Sequence, residues 1–167
     1  VNLDGVADFC NASARTALIF NSFVGGAAIL EYTRDSAEIL RANDKFYEQL
    51  GTTRDAYLDK QQHTLNRFEG EHRQAFYQML EEAIQTGAEA ECDVQSIALD
   101  ADGQRFWTHN RVRLLAHTGE SFLFYLSTEN ITRRKELEEQ LRIRTEALQL
   151  SISHTGRVIC SYDIATH

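Results

Sequence analysis

The 167 residues contain three cysteines, Cys10, Cys92 and Cys160, an odd number with no C-x-x-C pair among them. That usage offers neither a disulfide framework nor a zinc site, and a reducing, cytoplasmic setting suits it best. No apolar run reaches the roughly eighteen residues of a membrane span, and no signal peptide opens the sequence, so no membrane contact is expected of this segment. Basic residues are outnumbered: 17 Lys and Arg stand against 25 Asp and Glu, for a net charge of -8. Phosphate backbones are bound by clustered cations, which excludes a nucleic-acid partner and leaves an acidic, solvated surface. Also missing are a Gly-rich phosphate loop, a Ser-His-Asp arrangement and an HExxH helix, so the sequence names no catalytic residue and no metal ligand.

What is present is a repeat. Shifting the sequence by 130 residues lays Ala17, Leu18, Gly26, Ile29 and Tyr32 on Ala147, Leu148, Gly156, Ile159 and Tyr162. Self-similarity at a domain-sized period marks tandem modules. One whole module and the opening of a second are therefore expected, and the start at Val1 suits a segment of a longer protein. A module of this length buries about two thirds of the surface its unfolded chain exposes, without a metal or disulfide staple.

Residues 4 to 22 place Val6, Phe9, Cys10, Ala14, Ala17 and Leu18 at helical spacing behind a cap at Asp4. Gly25-Gly26 breaks this helix. Ala27 to Tyr32 and Ala37 to Arg41 then read as strands, Asn43 caps a short helix through Leu50, and Gly51 supplies a left-handed end. Thr52 to Phe68 is polar and irregular, with room for one or two helical turns. A longer helix from Glu71 carries His72, Phe76, Met79, Leu80 and Ala83 three and four residues apart and closes at Gly87.

Three strands follow. Glu89, Glu91, Asp93 and Gln95 alternate with Ala90, Cys92, Val94 and Ser96. After an Asp102-Gly103 hairpin, an inward set of Phe106, Thr108, Asn110, Val112 and Leu114 alternates with Trp107, His109, Arg111 and Arg113. Beyond a turn at His117 to Glu120, Ser121 to Thr128 is apolar on both sides, which places that strand centrally with cover on both faces. The N-terminal helix, a partner subunit or both are the expected cover for Trp107, Leu123 and Tyr125. From Thr132 to about Ile152 there is no Gly or Pro, and the segment reads as a helix. Leu137, Leu141 and Leu148 form a weak heptad seam interrupted by Arg144, and Glu138 is spaced to pair with Arg142. Residues 156 to 164 read as the first strand of the second module. The element order defines an α+β domain with one curved antiparallel sheet.

Asn43-Asp44-Lys45-Phe46 with Leu50-Gly51, Asp102-Gly103 with Arg105-Phe106-Trp107, and the exit Glu129-Asn130-Ile131-Thr132-Arg133-Arg134-Lys135 follow one another in the order of a PAS domain, or sensory box. The chain resembles that family over about residues 24 to 132. The resemblance implies a curved five-stranded antiparallel sheet with helices on one face, between an N-terminal amphipathic helix over 1–23 and a helical linker over 133–152. Residues 153–167 would open the second module. The family usually closes its last strand with Asp-Ile-Thr, where this chain has Asn130-Ile131-Thr132. These three would relay the signal to the outgoing helix, an Asn still being able to cap it.

What the resemblance implies for function is a cytoplasmic sensory module of a multidomain bacterial signalling protein. Such a module binds a small molecule or forms a homodimer through its terminal helices, and relays its state to a diguanylate cyclase or histidine kinase. A ligand cavity would lie between sheet and helices, lined by Cys92, Val94, Thr108, Asn110, Leu126 and Thr128 with Phe76, Met79 and Leu80 opposite. Asn110, Thr108 and Thr128 would either orient the ligand or bond one another or buried water. The cofactor is left unidentified. Covalent flavin chemistry needs a Cys in a Gly-x-Asn-Cys-Arg helix motif, which is absent, and Cys92 reads as a buried structural thiol. A haem ligand would be a His further along the long helix than His72; His63 lies in the loop before it and His109 faces outward. Two other readings stand beside the sensor. One is a ligand-free dimerising connector whose core is filled by Phe46, Phe68, Phe76, Phe106 and Phe124; the other is a small α+β enzyme with a cone-shaped cavity.

Overall fold

The computed structural model describes residues 14–33, 36–60, 67–99 and 103–159. In chain order the elements are α1 (Ala14–Asn21), β1 (Gly26–Tyr32), β2 (Ala37–Ala42), α2 (Asp44–Gln49), α3 (Arg54–Lys60), α4 (Gly70–Thr86), β3 (Ala90–Leu99), β4 (Arg105–Thr118), β5 (Ser121–Asn130) and α5 (Thr132–Ile159). The chain divides into two compact units between Ile131 and Thr132.

The first unit is built on an antiparallel sheet in the order β2-β1-β5-β4-β3. The last strand made is the central one, as its apolar character on both sides requires. Its inward Phe124 and Leu126 are buried and the outward Leu123 and Tyr125 are half-buried; most of the N-terminal helix expected to cover them lies outside the described residues. The described part of α1 makes its contacts elsewhere. Phe20 is buried with the Arg41 guanidinium 5.7 Å from its ring, and Asn21 exchanges hydrogen bonds with Asp44 at 3.1 and 3.2 Å. Trp107 meets the His72 ring edge-on at 5.1 Å. The predicted cap at Asp4 and the apolar residues Val6, Phe9 and Cys10 lie outside the described residues.

Asn43 fastens one corner of this unit. Its Oδ1 accepts from the amides of Phe46 at 2.8 Å and Ala27 at 2.9 Å, and its Nδ2 donates to the carbonyls of Gly25 at 3.0 Å and Phe20 at 3.3 Å. A helix cap thus also holds the approach to β1 and the end of α1. Gly26 follows from the same crowding, since a Cβ there would stand 2.8 Å from the Thr128 carbonyl and 3.0 Å from the Phe46 Cα. The helix ends at Gly51 and Gly87 take the left-handed backbone that their positions predict, at φ 61 and 66. Beneath the sheet, Phe46, Phe76, Phe106, Phe124, Leu30, Leu80, Val94 and Val112 are fully buried, each contributing about 1.5–3 kcal/mol through removal from water.

The second unit is α5, a helix of 28 residues. It continues past Ile152, where the sequence reading ends it, so Gly156 to Ile159 are helical rather than the start of a strand. A strand needs a neighbour to satisfy its backbone groups, and a helix satisfies them internally. Residues 160–167, the rest of that expected strand, lie outside the described residues. Arg142 is not paired with Glu138 as its spacing suggests; it bonds Glu139 at 2.6 Å and Glu146 at 2.7 Å, and Glu138 faces Arg134. No described helix is long and apolar enough to cross a membrane.

Candidate functional site

Between the sheet and the helices lies a cavity of about 20 Å³. Of the nine residues expected to line it, Phe76, Thr108, Asn110, Leu126 and Thr128 do so. Met79, Leu80 and Val94 are buried where α4 packs on β3, and Cys92 is partly buried at the margin of the same core. The remaining wall is Phe46, Leu50, Tyr57, Arg67, Phe68, Ser96 and Phe106. Four of those aromatics can be recognised in the sequence as Phe46, Phe68, Phe106 and, on the opposite wall, Phe76. Tyr57 and Arg67 cannot, because they fall in the irregular stretch before α4, where no periodicity assigns a face.

The sheet supplies three buried polar side chains, and they bond one another. Thr128 Oγ1 donates to Asn110 Oδ1 at 3.0 Å, and Asn110 Nδ2 donates to Thr108 Oγ1 at 2.9 Å. Thr108 Oγ1 in turn donates to the Val94 carbonyl at 3.4 Å. Register makes this possible, because Asn110 is directly opposite Thr128 and Thr108 opposite Val94. A closed network of this kind avoids the desolvation penalty of orphaned groups.

The helical side of the cavity differs. Arg67 is 7 % exposed, and its guanidinium stacks 4.9 Å from the centre of the Tyr57 ring. Burial pushes the Arg67 pKa down, and Tyr57 offsets part of that fall. The buried Tyr57 hydroxyl finds no acceptor for its own proton among the described residues. No carboxylate approaches Arg67 among the described residues.

Cys92 is chemically quiet: burial, with a smaller contribution from Asp93, pushes its thiol up to about 12. His109 points outward with Nδ1 2.8 Å from Asp93 Oδ1, beside Arg111, which reaches Glu89 at 2.9 Å and Glu91 at 3.2 Å. These cross-strand pairs match the charged outer face read from the alternation. His72 stands in the first turn of α4, and His63 lies outside the described residues. Among the described residues no cluster of three or more His, Cys, Asp or Glu is arranged to hold a metal ion.

At the exit of the sheet, the Asn130 amide nitrogen donates to Gln49 Oε1 at 2.7 Å, and Asn130 Nδ2 donates to the Gln49 carbonyl at 3.2 Å. The buried Ile131 donates its backbone N–H to the Trp107 carbonyl at 2.9 Å. Residues 130 and 131 are therefore tied to α2 and β4 just before α5 begins.

The first unit is thus an α+β module, a five-stranded antiparallel sheet with helices packed around a small cavity. A family model described as PAS domain matches residues 26–133, and the chain belongs to the PAS domain family. No curated protein sequence matches it. Among solved structures, it is similar to a sensory box histidine kinase/response regulator from Burkholderia thailandensis, at 15% identity and a TM-score of 0.53, over 74% of this chain and 90% of that one. It is also similar to a Rhodobacter sphaeroides LOV protein, at 15% identity and a TM-score of 0.57, over 84% and 74% of the two chains. A PAS domain from Colwellia psychrerythraea matches at 12% identity and a TM-score of 0.51, over 71% and 96%. Likeness at these identities speaks to the fold.

Proposed function

We propose that this PAS domain is a cytoplasmic sensor whose cavity takes a small molecule, and whose state leaves through Asn130, Ile131 and Thr132 into α5 toward an output domain. The observation that carries this reading is the course of β5. Leu126 and Thr128 on that strand line the cavity, and Thr128 stands four residues before the start of α5. A ligand that moves the central strand need act over no greater distance. The relay works only if two settings of the joint differ in affinity for the ligand, because a ligand with equal affinity for both shifts nothing.

The output in this reading is a diguanylate cyclase or a histidine kinase, and catalysis belongs to that domain. A further module along the way rests on the 130-residue sequence repeat alone, since Gly156 and Ile159, which it lays on strand residues Gly26 and Ile29, are helical. Dimerisation rests on α5, where Leu137, Leu141 and Leu148 are exposed. Helices that present an apolar stripe to water gain stability by pairing.

A second reading, a dimerising connector without a ligand, is favoured by the small size of the cavity. About 20 Å³ is room for little more than one ordered water, and four phenylalanines fill the rest. Mass spectrometry of small molecules released on denaturing the purified protein, against a control protein carried through the same purification, separates the two. A single enriched compound supports the sensor; none moves the assignment to the connector.

A further inference from the structure

We infer that the cavity is a binding site for a compact monovalent anion about the size of a water molecule, a halide, held by the Arg67 guanidinium and the Tyr57 hydroxyl. The inference rests on reading the cavity as the sensory site and names the chemistry it would recognise.

Arg67 immediately precedes Phe68, ahead of α4, and its side chain is drawn into the cavity wall. A guanidinium keeps its charge in any protein environment. Removing that charge from water is costly unless an opposite charge or a full set of acceptors replaces the solvent. Here the replacement is the face of Tyr57, 4.9 Å away, and a cation–π contact offsets only part of that cost. The hydroxyl of the same tyrosine is buried, and nothing among the described residues accepts its proton. Among the described residues, a cation lacking a counter-charge and a donor lacking an acceptor thus border one space.

The rest of the wall carries no anionic side chain. Thr128, Asn110 and Thr108 are engaged with one another, Ser96 Oγ donates to the Arg67 backbone carbonyl at 3.5 Å, and Phe46, Phe68, Phe76 and Phe106 offer only apolar surface. A water could satisfy the phenol but would leave the charge uncompensated. An anion answers both needs, and the apolar surroundings strengthen its attraction to Arg67. Size sets the class: about 20 Å³ admits a single ion about as large as the one water it could hold, and turns away larger oxyanions and dicarboxylates.

The test uses the full chain in gluconate buffer at constant ionic strength, with chloride, bromide, nitrate, formate or succinate replacing gluconate and the thermal midpoint followed. We expect a saturable rise with chloride, bromide or both, equivalent at saturation to at least a tenfold shift of the folding equilibrium, and none with succinate. A rise with nitrate or formate but with neither halide overturns the size assignment and with it the site. Arg67→Met should abolish the response, and in gluconate it should unfold no earlier than the unsubstituted protein, since the uncompensated charge is gone. Tyr57→Phe should fold normally and bind several-fold more weakly, which keeps the test intact if Arg67→Met fails to fold. A rise that is the same for every salt, or that persists in Arg67→Met, overturns the site. If no anion stabilises the protein yet a neutral compound is released on denaturation, the anion assignment falls and the sensor stands. If an anion binds and the oligomeric state and protease sensitivity of α5 do not change, the site stands as a structural ion and the sensor reading falls.

Discussion

Asn130 donates its side-chain amide to the backbone carbonyl of Gln49 at 3.2 Å, a bond that an aspartate in its place could not make. The family's usual Asp would set a carboxylate against a carbonyl oxygen. Asn130→Asp should therefore loosen β5 from α2, at a cost of about 0.5–1.5 kcal/mol because the site is exposed. Urea denaturation measures it. A more stable variant would show that the carboxylate finds a better partner.

Asn43 uses both ends of its amide at a fully buried position. Asn43→Asp keeps the acceptors but turns a carboxylate oxygen toward the carbonyls of Phe20 and Gly25. We expect a loss of about 2–4 kcal/mol, against about 1 kcal/mol for an ordinary exposed cap. Equilibrium unfolding of both variants, Asn43→Asp and Asn43→Ala, checks this, and losses under 1 kcal/mol would mean the corner is held by other contacts.

Gly26→Ala puts a methyl group against two backbone atoms, the Thr128 oxygen and the Phe46 Cα, neither of which can swing away. Overpacking of this kind costs about 1–3 kcal/mol. Since Gly26 pairs with Thr128, the strain falls on the stretch of β5 that lines the cavity. Thermal unfolding with and without saturating ligand should show weaker ligand stabilisation as well as a lower midpoint.

Cys92 gives a pH signature. Its thiol is raised from an ordinary value near 9.0 to about 12 in the folded protein, first by burial and then by Asp93. The folded state therefore holds this proton more tightly than the unfolded state does. Its contribution to stability is complete below about pH 9 and is lost as the pH rises toward 12. At pH 8.5, iodoacetamide should label Cys92 slowly in the native protein and rapidly in urea, read by peptide mass mapping. Fast native labelling would contradict its burial.

On α5, Leu141 and Leu148 are 67 and 64 % exposed. If α5 is the seam of the proposed dimer, the protein should scatter light as a dimer and Leu141→Lys with Leu148→Lys should convert it to a monomer while leaving the fold of the first unit unchanged. A mass unaffected by the pair of substitutions would remove α5 as the dimer seam.

Much of the fold is legible in the sequence because its signals are local. Asn43 and Gly51 at the ends of α2, Gly87 at the end of α4, and the alternation from Phe106 to Val112 each record a hydrogen bond, a φ angle or a face set by residues close in the chain. The helix before Gly25 and the helix after Thr132 are legible for the same reason, although the far end of α5 is not: nothing local distinguishes Gly156 to Ile159 in a helix from the same residues in a strand.

The cavity is another matter. Alternation places Asn110, Thr108 and Thr128 inward, but only the pairing of β4 with β3 and β5 brings them within bonding distance and leaves them satisfied. Tyr57 and Arg67 come from a stretch with no period to read, and their meeting across the chain depends on how α3 and the segment before α4 close over the sheet. The family, the order of elements as far as Thr132 and the inward face of the sheet are readable from residues alone, since these follow from local propensity and spacing. Only the tertiary structure decided which polar groups are paired and which charge is left facing a space, because burial and partnership are properties of residues that the chain brings together from a distance.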